Sequence, residues 1–348
     1  MSKSPFFSIV MPVYKVEKSL KMAANSVLNQ TFTDFELILV DDCSPDKSGE
    51  LCDKIKEKDQ RVKVIHKEKN GGLGFARNTG IENCTGEYIL FIDSDDWIEA
   101  EALSILYKYI KESNADIYAF SIVQDYTDEN GNVIKSINVN LQKAYADNSS
   151  DIARLAVDMD VQRNFAYAWS KVYKADFIKA NKFLFTEIKL IEDFMFNVEV
   201  FQKADKTVVL EEVLYHYIKP PHVTLVSTYN SAFDSLSKLR YNKEAEMLKN
   251  ANVKEQKYHQ AILDIYLKHI LSVFVRDLGE GSPLNKKERK AHIKEVLNDP
   301  ETVQIIKNSH SGSKSIKILE IIFKKRMVCA SAFLARAYFT LQKSRNKG

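Results

Sequence analysis

Three aspartates stand together directly after an apolar segment, and their types and spacing suggest chemistry. Asp93, Asp95 and Asp96 follow residues 88–92, a run with the length and composition of a strand buried on both faces of a parallel sheet. Carboxylates this close repel one another unless a positive charge lies between them. Mg²⁺ or Mn²⁺, which bind carboxylate and phosphate oxygens, would supply that charge. The alternative is that Ser94 or Asp95 caps a following helix.

A second acidic strand end lies earlier in the chain. Asp42 follows residues 35–40, another apolar run of strand length. Because ligands of open α/β folds bind at the carboxyl edge of the sheet, Asp42 and Asp93 are expected to share that edge. An acid there can accept a hydrogen bond from a ribose hydroxyl or from N3–H of uracil or thymine. The alternative is an ordinary turn-forming aspartate.

A glycine-rich loop over residues 70–80 precedes the aspartate cluster. It lacks the third glycine of a dinucleotide fingerprint and follows the third predicted strand rather than the first. It also lacks the Gly-Lys-Ser/Thr of a P-loop. The loop therefore offers a flexible backbone, with Gly72 in it, beside Arg77. That guanidinium could neutralise a phosphate or could form a surface salt bridge.

Two further acids and two histidines are candidates for chemistry. Glu192 and Asp193 lie between apolar residues, where desolvation would raise a carboxylate pKa towards that of a general base. The alternative for this pair is another helix N-cap. His216 and His222 follow a strand-like run that starts at Val208, and either could bind a metal or pack as a polar ring.

The elements that position these residues alternate between strand and helix, which predicts an α/β fold with a doubly wound, mostly parallel sheet. The first strand starts at Phe7 and is expected to break at Pro12. Residues 124–150 predict a hairpin or a mobile excursion, and the pattern is helical from 231 onwards. We expect three regions, namely a nucleotide-sugar-binding half at 1–115, an acceptor-binding half at 116–230 and a helical region at 231–348.

Composition excludes several classes of protein. The 348 residues are enough for two domains, or for one large core with an appendage, and a composition of 45% hydrophobic and 28% charged residues is typical of a soluble globular protein. A net charge of +3 argues against a dedicated nucleic-acid binder. The four cysteines have no metal-binding spacing and are expected to be free thiols. No signal peptide and no apolar run of about 18 residues is present, so we expect a cytoplasmic protein.

The C-terminal segment has a charge of its own. From Lys314 onwards there are nine lysines and arginines against one acid, Glu320, which gives +8 and leaves −5 elsewhere. Apolar residues recur at helical spacing among these cations. Such a helix suits the surface of an anionic membrane. Alternatively, its apolar face packs on the helical region or on a second copy in a homodimer.

Five motifs in order resemble the inverting, nucleotide-sugar-dependent glycosyltransferases of family 2, in particular those of bacterial polysaccharide biosynthesis. They are the opening run 8–14, the turn that begins with Asp41 and Asp42, the loop 70–80, the acids Asp93, Asp95 and Asp96 as the family's DxD motif, and the pair Glu192 and Asp193. The resemblance covers about residues 6–230. It implies the GT-A fold, a Rossmann-like sheet with an acceptor subdomain.

The resemblance also implies roles for individual residues. The catalytic base would be Asp193, with Glu192 beside it, and Mn²⁺ or Mg²⁺ would bind Asp95 with Asp93 close by. His222 is a further candidate for the metal. The nucleotide sugar would be bound by residues of the first four motifs: Pro12, Tyr14, Glu17, Asp42, Gly72, Arg77, Asp93 and Ser94.

The expected reaction is transfer of a sugar from a UDP-sugar to a hydroxyl of a glycan or lipid-linked acceptor, with inversion. Trp169 would offer an apolar face to a sugar ring, and Lys171 would steer a phosphate of the acceptor. Three residues depart from the family's pattern, since Lys15, Cys43 and Ser170 stand where Asn, Gly and Asn are usual. The alternatives are a non-catalytic binding module on the same fold and a nucleotidyltransferase.

Overall fold

The computed structural model describes residues 4–221 and 228–345, and these form two compact units that divide between Pro220 and Pro221. The N-terminal unit is a sheet with helices. Its strands are β1 (Phe7–Val13), β2 (Phe35–Asp41), β3 (Val62–His66), β4 (Tyr88–Phe91), β5 (Trp97–Ile98), β6 (Ile117–Thr127), β7 (Val133–Val139), β8 (Ala144–Ala146), β9 (Lys171–Lys174) and β10 (Thr207–Lys219). Its helices are α1 (Leu20–Leu28), α2 (Ser48–Lys56), α3 (Leu73–Asn83), α4 (Ala102–Ser113), α5 (Ser149–Val161), α6 (Ala175–Ala180) and α7 (Glu192–Lys203).

The main path of the sheet runs β3-β2-β1-β4-β9-β6-β10-β5, with β7 paired to β6 and β8 to β10. Strands β3, β2, β1 and β4 are parallel, as the apolar runs predicted. Beyond β4 the sheet is mixed, because β9 is antiparallel to both β4 and β6. Since β2 and β4 both pair in parallel with β1, their carboxyl ends bring Asp42 and Asp93 to the same edge.

The sequence predicted that the first strand would break at Pro12, and this prediction is wrong. β1 continues to Val13, with Pro12 opposite Val40 of β2. Val10 O accepts a hydrogen bond from Ile92 N–H, so every second residue of β1, Pro12 included, faces the β4 side. The paired part of β4 ends at Phe91, opposite Val10. The missing N–H of Pro12 therefore costs the ladder no hydrogen bond.

Helix α3 connects the glycine loop to the sheet and packs closely on β1. A Cβ atom on Gly80 would lie 2.1 Å from Cγ1 of Val10, so only glycine allows this approach. The helix after the aspartate cluster, α4, begins at Ala102 with Glu101 as its N-cap residue. The alternative that Ser94 or Asp95 caps that helix is therefore wrong.

All of the described regular secondary structure in the C-terminal unit is helical. Its helices are α8 (Phe233–Asn250), α9 (Gln256–Arg276), α10 (Lys286–Asn298), α11 (Pro300–Lys307), α12 (Lys314–Lys324) and α13 (Val328–Arg345). Its core gathers apolar side chains of α9, α10, α11 and α12, among them Leu267, Ile270, Leu297 and Phe323. No described helix is long and apolar enough to cross a membrane.

The basic segment is partly core and partly surface. Ile316, Leu319 and Phe323 of α12 are buried in the core of this unit, as the packing alternative predicted. Ile318 and Ile321, on the opposite side of the same helix, are 53% and 45% exposed. The apolar residues of this helix therefore divide between two faces, because the sequence is apolar around most of its circumference.

Candidate functional site

A buried arginine joins two acidic motifs that are far apart in the sequence. Arg77 has 0% side-chain exposure, and its Nη2 donates to Asp93 Oδ1 at 2.7 Å while its Nη1 donates to Asp193 Oδ1. Asp93 follows β4, Arg77 lies on α3 and Asp193 lies in the first turn of α7. Ala168 N–H donates to the other oxygen of Asp193 at 3.0 Å. Arg77 therefore forms a buried ion pair, not the surface salt bridge that was its alternative.

Burial and neighbouring charges shift the pKa values of Arg77 and Asp193 in opposite directions. Burial lowers the pKa of Arg77, but the negative charges of Asp193 and Asp93 outweigh it, so the guanidinium stays charged. Burial raises the pKa of Asp193, and Arg77 offsets only part of that increase. The result is a carboxylate that is more basic than an exposed aspartate, with side-chain exposure of 17%.

Glu192 lies next to Asp193 in the same turn of α7 and is held differently. Burial raises its pKa, and the neighbouring charge of Asp193 adds to the shift. Its Oε2 is buried and has no hydrogen-bond partner among the described residues. A buried polar atom without a partner is rare in folded proteins, and it marks a position where a ligand atom could bind.

Asp95 and Asp96 are adjacent in sequence but have different environments. Asp96 is 1% exposed, and it accepts hydrogen bonds from Tyr215 Oη at 2.7 Å and from Ile218 N–H at 2.8 Å. Asp95 is exposed, and no described side chain donates to its carboxylate. Although the side chain is exposed, the protein atoms around the carboxylate displace part of its water, and this effect together with the charge of Asp93 raises the pKa of Asp95 to about 6. Asp96 therefore anchors β10, while Asp95 remains available for a ligand.

The donor set around Asp95 fits a hard divalent cation. No group of three or more Asp, Glu, His or Cys side chains in the described part of the chain could hold a metal ion. A magnesium site of the nucleotide type does not need one, since it combines one or two carboxylates with water and substrate phosphate oxygens. Asp95 carries an uncompensated negative charge beside Asp93, and a cation would remove that repulsion.

Asp42 holds the glycine loop. Its Oδ2 accepts from Gly72 N–H at 2.7 Å, its Oδ1 accepts from Gly71 N–H at 3.0 Å, and Lys67 Nζ pairs with it. The carboxylate is thus fully hydrogen-bonded, and Asp42 is 2% exposed. This arrangement differs from the predicted contact with a ribose or a uracil N3–H. Gly72 has φ +93°, a conformation that favours glycine, so its amide can reach Asp42.

The other predicted nucleotide contacts lie after β1 and β4. Pro12 is buried at the end of β1, whereas Tyr14 is 41% exposed in the loop that follows it. Glu17 is exposed and its Oε2 accepts from Lys47 N–H at 3.3 Å. Ser94, between Asp93 and Asp95, is 5% exposed. Tyr14 and Glu17 are therefore accessible to a ligand, whereas Pro12 and Ser94 are largely enclosed.

Trp169 does not offer a free face to a sugar ring. The ring of Tyr167 stacks on Trp169 with 4.4 Å between ring centroids and an interplanar angle of 20°. The ring of Tyr215 stacks on Trp169 at 4.3 Å with an angle of 19°. The indole is 3% exposed. The predicted acceptor role of Trp169 does not fit this position, because aromatic neighbours cover the ring.

Lys171 also lies in the interior rather than facing an acceptor. It is 0% exposed, and its Nζ donates to the carbonyl oxygens of Asn164, Phe165 and Tyr167 at 3.1, 3.1 and 2.6 Å. These bonds fix the turn before β9. The predicted phosphate contact is therefore not possible for Lys171 in this position, because the ammonium group cannot reach solvent.

The two histidine candidates have separate outcomes. Both ring nitrogens of His216 are paired, Nδ1 with Asp125 Oδ2 at 2.7 Å and Nε2 with Glu99 Oε1 at 2.8 Å. Its ring stacks on Trp97 at 3.4 Å between centroids. His216 is therefore a packed polar ring rather than a metal ligand. His222 lies outside the described residues.

Comparison with known proteins identifies the region that holds most of these residues. The family model described as "Glycosyl transferase family 2" matches residues 8–169. The chain contains a glycosyl transferase family 2 domain. The matched range includes β1 from Ser8 onwards, the glycine loop and the aspartate cluster. Asp193 lies outside it, so its place in the site rests on its ion pair with Arg77.

Curated relatives of the chain are named as glycosyltransferases. The chain is 29% identical to "Uncharacterized glycosyltransferase EpsJ" of Bacillus subtilis over 299 residues, which cover 84% of this chain and 83% of EpsJ. It is 37% identical to "Glycosyltransferase GlyA" of Streptococcus pneumoniae over 214 residues, which cover 60% of this chain but 30% of GlyA. The chain thus spans most of one relative and less than a third of the other.

A solved structure confirms the fold. The crystal structure of Staphylococcus aureus TarS 1-349 in complex with UDP-GlcNAc superposes with a TM-score of 0.68 at 23% identity, covering 96% of this chain and 91% of that one. In sequence, the chain is 28% identical over 268 residues to TarS, named poly(ribitol-phosphate) beta-N-acetylglucosaminyltransferase, with 76% of this chain and 44% of TarS covered. The predicted α/β fold of the GT-A type, with C-terminal helices, is confirmed.

The departures from the family 2 pattern have structural explanations. Lys15 and Cys43 both have positive φ, +56° and +60°, and Asn and Gly, usual there in the family, are the residues that tolerate this conformation best. Ser170 is buried, and its Oγ donates to Asn164 Oδ1 at 3.1 Å. Ser170 is thus part of the same buried turn as Lys171.

Several residues of the family 2 domain's site were missed by sequence reasoning. Lys67 pairs with Asp42, Tyr215 joins Asp96 to the amide of Asp93, and Thr186 has a buried hydroxyl near Glu192. Each lies in a segment with no recognisable motif. A basic residue directly after β3, in the same position relative to its strand as Asp42, was the one available sign for Lys67.

Proposed function

We propose that this family 2 domain transfers a sugar from a UDP-sugar to a hydroxyl of a glycan or lipid-linked glycan, with inversion at the anomeric carbon. The observation that carries the proposal is the shared ion pair of Arg77 with Asp93 and Asp193. It holds a basic carboxylate beside the acids of the DxD motif, where a donor diphosphate would bind. TarS supports the donor class, since its crystal structure contains UDP-GlcNAc.

On the donor side, Asp95 and Asp93 would hold Mn²⁺ or Mg²⁺. When bound, the cation supplies Lewis-acid stabilisation of the negative charge on the leaving diphosphate. Tyr14 and Glu17, which are exposed, would contact the base and ribose together with Pro12. Asp42 would act indirectly, because it fixes Gly71 and Gly72 through their amides.

On the acceptor side, Asp193 would take the proton from the attacking hydroxyl. Its raised pKa favours proton uptake, and Ala168 N–H with Arg77 fixes its orientation. The oxygen attacks the anomeric carbon as the bond to the diphosphate breaks. Because this is a single in-line displacement, an α-linked donor sugar gives a β-linked product, in agreement with the name of TarS as a β-transferase.

The acceptor would belong to a cell-surface polysaccharide. The name of TarS gives poly(ribitol-phosphate) as the polymer on which that protein acts. For this chain we propose an acceptor of the same broad class, a polymer or lipid-linked carrier that presents sugar or alditol hydroxyls. Such acceptors are assembled at a membrane surface, so the enzyme would work at its cytoplasmic face.

The exposed face of α12 fits a peripheral contact with that membrane. Ile318 and Ile321 are exposed between Lys314, Lys317 and Lys325, which are exposed as well. Apolar side chains flanked by cations suit the headgroup region of an anionic bilayer. Pairing of this face with a second copy in a homodimer is the other outcome of the test described below.

A donor panel tests the proposed activity. The protein is incubated with single UDP-sugars, and with GDP- and dTDP-sugars as controls, in the presence of Mn²⁺, and the free nucleotide is measured. We expect slow release of UDP from one UDP-sugar and none from the other nucleotides. Release of pyrophosphate when a sugar phosphate and UTP are supplied would instead indicate a nucleotidyltransferase. No turnover and no binding of any nucleotide sugar would contradict the proposal.

A further inference from the structure

A small cavity opens between the first turn of α3 and the segment 186–189. It has a volume of about 210 Å³ and is lined by Gly71 to Phe75 on one side and by Thr186 to Lys189 on the other, with Glu192 between them. The volume leaves room for one sugar ring rather than a longer glycan. Glu192 is adjacent in the chain to Asp193, so the cavity reaches to within one residue of the proposed base along α7.

Two side chains that line the cavity each carry a buried polar atom that the protein leaves unsatisfied. Thr186 Oγ1 and Glu192 Oε2 are both inaccessible to solvent and have no hydrogen-bond partner among the described residues. Folded proteins satisfy nearly all of their buried polar atoms, so two in one cavity point to a ligand that completes them. The hydroxyl can donate or accept, and an ionised carboxylate can only accept.

The helix end in this cavity adds donors. Helix α3 has no side-chain cap at Gly72, and its first hydrogen bond runs from Ala76 N–H to Gly72 O at 3.0 Å. The amides of Leu73 and Gly74, which precede Ala76 in this turn, are therefore not needed by the helix ladder. The cavity wall thus combines a helix turn that has spare amide donors with a threonine and a glutamate.

This mixture favours a polyol over a phosphate. Every hydroxyl of a sugar or an alditol both donates and accepts, so it can satisfy an amide and a carboxylate at once. A phosphate would meet the carboxylates of Glu192 and Glu187, which repel it and outnumber the one cation of the lining, Lys189. Leu73 and Phe75 are 40% and 38% exposed, and they offer apolar surface to the C–H groups of the ligand.

The walls of the cavity are fixed. The side-chain amide of Asn78 on α3 donates to Phe185 O and its Oδ1 accepts from Phe185 N–H, both at 2.8 Å. Phe185 stacks on Phe196 at 4.1 Å with an interplanar angle of 5°. A Cβ atom on Gly74 would lie 3.0 Å from Phe185 Cβ, so the two walls approach closely there. The segment before Thr186 is therefore held at a set distance from α3.

We propose that this cavity binds the acceptor polyol, in place of the buried Trp169 and Lys171. Thr186 and Glu192 bind its hydroxyls, Phe75 contacts its carbon skeleton, and the ring or alditol is held beside Asp193. The inference rests on the proposed glycosyl transfer for its biological meaning. Its physical content, selective binding of a polyol at this cavity, is independent of turnover.

The test measures binding without a donor. Saturation-transfer NMR is recorded on the full chain with methyl β-D-glucopyranoside in one arm and ribitol in the other, which separates a sugar from an alditol. Wild-type protein is expected to bind at least one probe. Thr186→Val, which removes only the hydroxyl, should weaken that binding about three- to tenfold, as expected for one hydrogen bond. Phe75→Ala should weaken it to a similar degree.

Tyr145→Ala is the matched control, because Tyr145 is 54% exposed on β8 and does not line the cavity. It should bind the probe as wild type does. UDP affinity should be unchanged in Thr186→Val. Absence of binding by both probes, binding that neither cavity variant weakens, or a loss of UDP affinity in Thr186→Val would each overturn the inference. Failure of the donor panel alone would overturn the proposed function and leave this result readable.

Discussion

Asp93 and Asp193 accept hydrogen bonds from the same buried guanidinium, that of Arg77. Asp93 follows β4, a strand of the parallel part of the sheet, and Asp193 lies in the first turn of α7. Arg77 therefore fixes the distance between the proposed metal-binding acids and the proposed base. Because these three charges depend on one another, replacing Arg77 is expected to disturb both carboxylates.

Replacement of Arg77 should affect both stability and activity. Arg77→Met removes the cation and leaves two partly buried carboxylates unpaired, which should lower the free energy of unfolding by about 3–5 kcal/mol. Arg77→Lys retains the charge but cannot donate to both acids in the same geometry. Arg77→Lys should therefore lose less stability than Arg77→Met, yet its turnover should be low. Thermal unfolding and UDP release measure the two effects, and a fully active Arg77→Lys would contradict the positioning role.

Asp193→Asn should lower turnover about 10²- to 10⁴-fold, the usual contribution of a general base. UDP affinity should stay nearly the same, because the amide keeps the shape of the carboxylate. Asp176→Asn is the control, because Asp176 is an exposed aspartate in the first turn of α6, as Asp193 is in that of α7. If UDP binding collapses while turnover at saturation survives, Asp193 belongs to the donor site instead.

Asp95→Asn should abolish transfer and Mn²⁺-dependent UDP binding without lowering the melting temperature, because Asp95 is exposed. Asp96→Asn, in contrast, should lower the stability of the protein. Asp96 accepts from Tyr215 and Ile218, so its loss should lower stability by about 1–3 kcal/mol. Full activity of wild type in excess EDTA would refute the metal assignment.

Lys171→Met should destabilise the protein by about 3 kcal/mol, since it leaves the carbonyls of Asn164, Phe165 and Tyr167 without their donor. Lys174→Met, on the more accessible end of β9, is the control and should cost much less. Urea denaturation measures both. A variant of Lys171 that keeps wild-type stability but has a higher KM for acceptor would restore the predicted phosphate contact.

The membrane contact is tested with vesicles. Full-length protein should sediment with anionic liposomes at low salt and dissociate as salt screens the charges, each basic residue near the surface contributing about 1 kcal/mol. Replacing Ile318 and Ile321 by Ser should abolish sedimentation. The same change at Val133 and Ile134, 52% and 60% exposed on β7, should not. A loss of dimer on gel filtration, with sedimentation unchanged, would assign the face to a homodimer.

The sequence alone determined the parallel part of the sheet and the acids at its edge. Apolar runs of strand length specify burial on both faces, and the chain direction then requires Asp42 and Asp93 to reach the same edge. The exception at Pro12 arises because a proline is tolerated wherever the neighbouring strand has already ended, and strand lengths are not encoded next to the proline.

Tertiary structure alone decided which polar side chains are available to a ligand. Asp95 and Asp96 are chemically identical neighbours, yet one is exposed and the other is held by Tyr215. Trp169 and Lys171 looked suited to bind a sugar and a phosphate, but packing from distant segments covers both. The pairing of Arg77 with Asp193 is likewise a contact between separate motifs. Local sequence encodes the chemistry of a side chain, whereas its exposure and partners depend on segments that meet it only in the folded chain.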